Sequence, residues 1–182
     1  MSAGVSPGTS TNVVRELRRE DLPAAMTVQS ANYPAFLLEG EEAFASRLDV
    51  AAPYCLAAGV DGTLVGYMLA HGWASQSPPP VNAVLARDAP SEVLFIHDVA
   101  VGAAGRGLGM GRKLVTRAFA MAARDGLRTA ELIAVEGAAS YWRTLGFSEA
   151  VTSSALAEKV AGYGPGARWM TRGIGSLEPA SR

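Results

Sequence analysis

The stretch Gly105–Val115 reads GRGLGMGRKLV, with glycine at 105, 107, 109 and 111 and basic side chains at 106, 112 and 113. Glycine inside a first helical turn costs about 0.5–1 kcal/mol relative to alanine, so several in alternation need a reason beyond turning the chain. The two commonest nucleotide loops do not supply it. A dinucleotide fingerprint, G-x-G-x-x-G, lacks its sixth-position glycine here in either register. A P-loop ends in G-K-[ST], whereas Gly111 is followed by Arg112, Lys113 and Leu114. What remains is a strand, a glycine-rich turn and a helix, whose bare N–H groups and helix dipole converge on an anion without a metal.

Upstream, EVLFIHDVAV (Glu92–Val101) is an almost continuous apolar run, as expected of a strand buried on both faces, interrupted only by His97 and Asp98. Strict alternation would put His97 on the face of Phe95, Val99 and Val101 and turn Asp98 to the other. Downstream, Met110, Leu114, Ala118 and Ala122 share one helical face, with Val115 and Phe119 beside them and Gly126 at the expected stop.

The flanking sequence supplies the rest of a mixed α/β order. VVRELR (Val13–Arg18) reads as a first strand, and EDLPAAMTVQSA as a helix to about Ala31, with Asp21 as N-cap and Pro23 in the first turn. Pro34 breaks the helix and leaves Tyr33, Pro34 and Phe36 on an irregular apolar loop before EEAFASRL restarts helical spacing. YCLAAGV and TLVGYMLAH flank Asp61-Gly62 as a hairpin. TAELIAV, FSEAV and ARWMTRGI read as strands, and GAASYWRTLG as a short helix ending at Gly146. There is no internal repeat or linker, and 182 residues suit one domain. Residues 1–12 read as a disordered lead-in without the features of a signal peptide, 13–174 as the domain and 175–182 as a disordered tail.

A formal net charge of -1 gives no broad attraction for nucleic acid or an anionic membrane. The uncharged run between Asp61 and Arg87 is broken by polar residues and by Pro78, Pro79 and Pro80, so it reads as strand and loop and not as a span. The single Cys55 excludes an intramolecular disulfide, offers no metal cluster and reads as a small buried apolar residue. It suits a reducing, cytoplasmic setting.

Arg106, Gly109 and Gly111 fill the pattern [QR]-x-x-G-x-[GA] after DVAV (Asp98–Val101), and YWRTLGF (Tyr141–Phe147) places an aromatic four residues before a Gly-Phe pair. In these motifs, and in the order of elements over Val13–Ile174, the chain resembles the GNAT superfamily of N-acetyltransferases. The resemblance implies one α/β domain whose mixed, mostly antiparallel sheet of about seven strands is splayed between the fourth and fifth and flanked by about four helices. It also implies acetyl-CoA and no metal. The pyrophosphate would rest on Arg106, Gly107, Leu108, Gly109, Met110 and Gly111, the pantetheine arm would pair along Val99, Ala100 and Val101, and Trp142 would lie beside it. A bound amine then attacks the thioester directly in a ternary complex.

An ammonium with pKa near 10 must lose a proton before it attacks, and at pH 7 the neutral form costs on the order of 4 kcal/mol. His97, an imidazole ordinarily titrating near 6.5, is the candidate base, directly or through water; its structural alternative is a core histidine bonded to a carbonyl. HDVAV also echoes the arylalkylamine branch of the family, although the preceding histidine position of that branch is Phe95 here, which speaks against a two-histidine relay. Asp98 reads as structural or substrate-binding. The family position of the tyrosine that protonates the CoA thiolate is Trp142, an indole with no useful acidity; Tyr141 is the substitute, about 100° away on a helix, and Tyr163 a further candidate. Val135 replaces the family's asparagine.

Tyr33, Pro34 and Phe36, with His71 and Trp73, would line an apolar slot for an aryl- or alkylamine or an amino-acid-like primary amine. The alternatives are a protein N-terminus or lysine as acceptor, or a non-catalytic acyl-CoA-binding regulator, which Trp142 and Val135 raise. A monomer or homodimer is expected.

Overall fold

The computed structural model describes residues 10–50 and 53–175. Among these, seven strands form one sheet in the order β1-β2-β3-β4-β5-β7-β6. They are β1 (Asn12–Glu16), β2 (Leu56–Val60), β3 (Thr63–Trp73), β4 (Val93–Val101), β5 (Thr129–Ala134), β6 (Ser148–Glu149) and β7 (Arg168–Gly173). Five α-helices pack on it: α1 (Leu22–Asn32), α2 (Glu41–Asp49), α3 (Met110–Arg124), α4 (Ala139–Thr144) and α5 (Ser154–Ala161). Of the expected lead-in, only residues 10–12 are described, and Asn12 already belongs to β1; most of the expected tail lies outside the described residues. No helix among the described residues is long and apolar enough to cross a membrane.

All neighbouring strands are antiparallel except β4 and β5, whose parallel pairing is confined to Leu94–Ala130, Phe95–Glu131 and Ile96–Leu132. Beyond Ile96 the strands part while β4 runs on to Val101, which leaves one main-chain edge of β4 open. The opening is the expected splay. The hairpin between β2 and β3 turns at Asp61 and Gly62, with φ of 49° and 82°, the left-handed pair that suits a two-residue turn.

One face of the sheet carries α3 and α4 over Leu94, Ile96, Ala130 and Leu132; Leu114, Ala118 and Trp142 close that core. On the other face, α1 and α2 cover Tyr67, Leu69 and Ala100 with Leu22 and Phe44, while α5 covers Phe95 and Trp169 with Leu156 and Val160. The apolar stripe of α3 therefore buries as its spacing predicts. Gly126, with φ 88°, ends the helix as its N–H bonds to Ala123 O and that of Leu127 to Ala122 O. Cys55 is buried, and burial pushes its thiol up to about 12.

Three local features differ from the sequence expectation. Asp21 precedes α1 but does not cap it, because its carboxylate is taken by the Arg15 guanidinium and the Arg18 N–H. The second is α5, which the sequence pattern does not predict, although Ser153 caps it, accepting from Leu156 N at 3.2 Å, and Leu156 and Val160 bury one turn apart. Replacing Ser153 by alanine is expected to lower unfolding stability by about 1 kcal/mol, readable in a urea titration.

The third concerns the expected alternation along β4. Leu69 of β3 pairs with Asp98 and the next residue, Ala70, pairs with Ile96, so His97 is an extra, bulged residue. The bulge resets the alternation. Val99 and Val101 pack toward α3, while the rings near His97 are Phe95 and His71 on the α1–α2 face, and Asp98 lies on that face too, bonded to Tyr67. The expected sharing of one face by His97, Val99 and Val101, with Asp98 opposite, is thereby overturned.

Candidate active site

The splay opens into a cavity of about 280 Å³ that runs from the open edge of β4 to the α1–α2 connection. One wall is Ile96 to Val101; Leu132, Ile133, Val135, Tyr141 and Trp142 form the side toward β5 and α4. Gln29, Asn32, Tyr33, Leu37, Glu39, Val81 and Tyr163 form the far end. The lining carries three carboxylates, Glu39, Asp98 and Glu136, and no lysine or arginine.

The four glycines of the opening stretch do separate jobs. A Cβ on Gly105 would stand 2.8 Å from the side chains of Val65 and Val101, so that glycine permits the loop to pack on the sheet. Gly107 and Gly109 have φ of 76° and 68°, with open space around them, and Gly109 immediately precedes α3. Gly111 makes room for the Tyr141 hydroxyl, which leans over it. The N–H groups of Gly107, Gly109, Met110, Gly111 and Arg112 donate to no backbone carbonyl among the described residues, whereas Lys113 begins the helical pattern on Gly109 O. Free N–H groups around two left-handed glycines at a helix start make a cradle for a phosphate-bearing group.

At the far end a buried ionic cluster meets β4. Glu39 Oε2 lies 2.9 Å from His97 Nε2, and Glu39 Oε1 lies 3.1 Å from Arg47 Nη2; the three side chains are only 4%, 5% and 0% exposed. Burial alone would raise the Glu39 carboxyl, but His97, Arg47 and the Asn82 N–H together hold it below the ordinary range. Arg47, its own basicity lowered by burial, also bonds Ala83 O, and Tyr163 bonds Pro79 O, so the Pro78–Leu85 segment is tied over this end of the cavity. Asp98 accepts from Tyr67, and Tyr33 donates to Val99 O at 3.0 Å. Burial lifts the Asp98 carboxyl, with the Tyr33 and Tyr67 hydroxyls working the other way.

Of the residues singled out from sequence, the cavity brings together His97, Val99, Ala100, Val101, Tyr33, Tyr141, Trp142 and Tyr163. His97 as a residue remains half-buried while its side chain is almost fully covered, so what it exposes is chiefly main chain. Pro34 and Phe36 are not among the lining residues, and Phe36 is exposed. His71 is wholly buried behind the wall, its ring lowered to about 3 by desolvation, first of all, and by His97; Trp73 lies on a separate surface groove. These three side chains and that of Pro34 therefore do not form the expected slot. Glu39 and Arg47 were missed. They lie far from β4 in sequence, and the signal for a buried partner is slight: an arginine following Ala43, Phe44, Ala45 and Ser46 in a helix whose burial sequence alone does not give.

Comparison with known proteins agrees with this geometry. The family model described as "Acetyltransferase (GNAT) family" matches residues 13–147. No curated protein matches the chain in sequence. Among solved structures, Ard1 from Thermoplasma volcanium superposes with a TM-score of 0.67 at 14% identity, covering 91% of this chain and 99% of that one. The ribosomal-protein-S18-alanine N-acetyltransferase from Escherichia coli gives 0.64 at 17%, covering 94% and 99%. A GNAT family acetyltransferase from Brucella melitensis, solved with acetyl-CoA, gives 0.56 at 20%, covering 93% and 92%. At these identities the likeness is one of fold. The matched family model spans most of the chain, from β1 through the glycine cradle to Phe147, and the chain belongs to the acetyltransferase (GNAT) family.

Proposed function

We propose that this protein transfers the acetyl group of acetyl-CoA to the primary amine of a small molecule, an aryl- or alkylamine or an amino-acid-like amine. The observation that carries the reading is the cavity at the splay: an open strand edge along β4, the Tyr141 hydroxyl that reaches from its wall to Gly111 of the anion cradle, and at the far end a histidine held by a buried carboxylate. The Brucella relative solved with acetyl-CoA lends support to the cofactor. The free N–H groups of Gly107, Gly109, Met110, Gly111 and Arg112 fit a pyrophosphate, and the unpaired edge of β4 from His97 to Val101 fits an amide-bearing arm. Acetyl-CoA supplies an activated acetyl thioester; the chain's residues orient the amine and remove its proton.

His97 is the base in this reading. Its Nε2 faces Glu39 and its Nδ1 is buried with no hydrogen-bond partner, so the amine does not touch either nitrogen, and in this reading its proton reaches the ring through a water or hydroxyl admitted beside Nδ1 when the acceptor binds. Tyr141 is the group proposed to protonate the leaving thiolate, because its hydroxyl already lies over Gly111 beside the cradle; burial raises its pKa, which keeps the phenol protonated but makes it a weaker acid. Leu37, Val81, Ile133 and Val135 give the acceptor end an apolar lining. That lining favours a small hydrophobic amine, whereas the Escherichia coli relative, a ribosomal-protein-S18-alanine N-acetyltransferase, favours a protein N-terminus as the second reading.

An equimolar competition between an arylalkylamine, a peptide with a free N-terminus and an N-blocked lysine peptide, scored by mass spectrometry, decides between them. Preferential acetylation of the arylalkylamine is expected; preference for either peptide would transfer the assignment to a protein acceptor.

A further inference from the structure

We propose that Glu39 is the positioning residue for His97: it holds the ring as the Nε2–H tautomer and so makes Nδ1 the nitrogen that takes the proton. The inference rests on the proposed role of His97 as base.

The hydrogen-bond geometry around one atom carries it. His97 Nε2 lies 2.9 Å from Glu39 Oε2 and 3.1 Å from Arg47 Nη2. A guanidinium only donates and a carboxylate only accepts, so one ring nitrogen cannot satisfy both. A bare Nε2 would set its lone pair against a carboxylate oxygen in a site almost closed to water. A protonated Nε2 donates to Glu39 Oε2, and Arg47 Nη2 keeps its own acceptor, Glu39 Oε1, at 3.1 Å.

The carboxylate is held in place for this. Gln29 clamps the Glu39 main chain from both sides, donating to its carbonyl and accepting from its N–H, and Asn82 N–H donates to Oε1 at 2.8 Å. The other titratable groups packed around the ring are His71 from β3, with ring centroids 6.5 Å apart, Asp98 beside it on β4 and Tyr163 beyond Glu39 after α5. His71 itself takes the opposite arrangement: its Nδ1 lies 3.2 Å from Gly72 O, so Nδ1 carries the proton and Nε2 is bare.

The chain has two histidines, so nitrogen NMR on protein labelled with ¹⁵N-histidine reads both tautomers in the intact enzyme. Near pH 8, His97 is expected as Nε2–H with a bare Nδ1 and His71 as Nδ1–H with a bare Nε2. A proton on Nδ1 of neutral His97 would overturn the proposal. The second measurement uses Glu39→Gln. Loss of the carboxylate removes what favours the cationic ring, so the acid limb of the rate–pH profile is expected to move to lower pH. Amine-dependent kcat/KM is expected to fall about tenfold or more while the KM for acetyl-CoA stays put. A fall in rate with the acid limb unmoved would reduce Glu39 to a structural support and also overturn it. Should Glu39→Gln fail to fold, the wild-type tautomer decides alone. If His97→Ala kept full activity, the base role would fail while the tautomer measurement stood, so the two failures are distinguishable.

Discussion

Replacing His97 by alanine is expected to lower amine-dependent kcat by about 100-fold or more, the span typical of a general base, while acetyl-CoA affinity stays nearly unchanged. The separation follows from the layout: His97 belongs to the Glu39 end of the cavity, and the glycine cradle lies at the start of α3. The deficit has a pH signature. Without a base, the enzyme depends on amine that is already neutral, so the variant should recover relative to wild type as pH rises toward the amine's own pKa near 10. Steady-state rates from pH 6 to 10 check this. A variant with the wild-type rate and profile would make His97 a core histidine satisfied by Glu39.

The cradle should be as sensitive. Gly109 adopts φ 68° just ahead of α3, a conformation that valine, branched at Cβ, adopts only under strain. Gly109→Val is therefore expected to reorient the neighbouring free N–H groups. A hydrogen bond to a charged group contributes about 1.5–3 kcal/mol, so misplacing two of them should weaken acetyl-CoA binding by about 100-fold or more. In a thermal-shift comparison, acetyl-CoA should stabilise the wild type, NAD and ATP should not, and Gly109→Val should lose the acetyl-CoA shift. Stabilisation by NAD or ATP alone would contradict the assignment of the loop.

Much of this was legible in the chain because local chemistry decides it. The glycine stretch, the apolar run into it and the helical stripe after it share a short segment, and their order already implied a strand, an anion-binding turn and a helix. The turn at Asp61-Gly62 and the stop at Gly126 are likewise set by backbone freedom at single positions. The site was less legible where tertiary pairing decides. Nothing in HDVAV announces that His97 is bulged, since the extra residue exists only relative to its partner β3; a strict period of two therefore sent Asp98 to the wrong face. Glu39 and Arg47 lie 58 and 50 positions before His97 and meet it through a loop whose path is fixed by Gln29 and Asn82. His71 departs from the expected slot for the opposite reason: its strand position is as expected, but the wall of the cavity closes in front of it.

The most direct test is thiol release from acetyl-CoA by the wild-type protein, followed with and without a small primary aryl- or alkylamine. The expected result is saturable release that requires the amine, matches the N-acetylated product mole for mole and is unaffected by a chelator. Acetyl-CoA that binds yet releases no thiol with any primary amine, small or peptidic, would contradict it and leave a protein that only senses the cofactor.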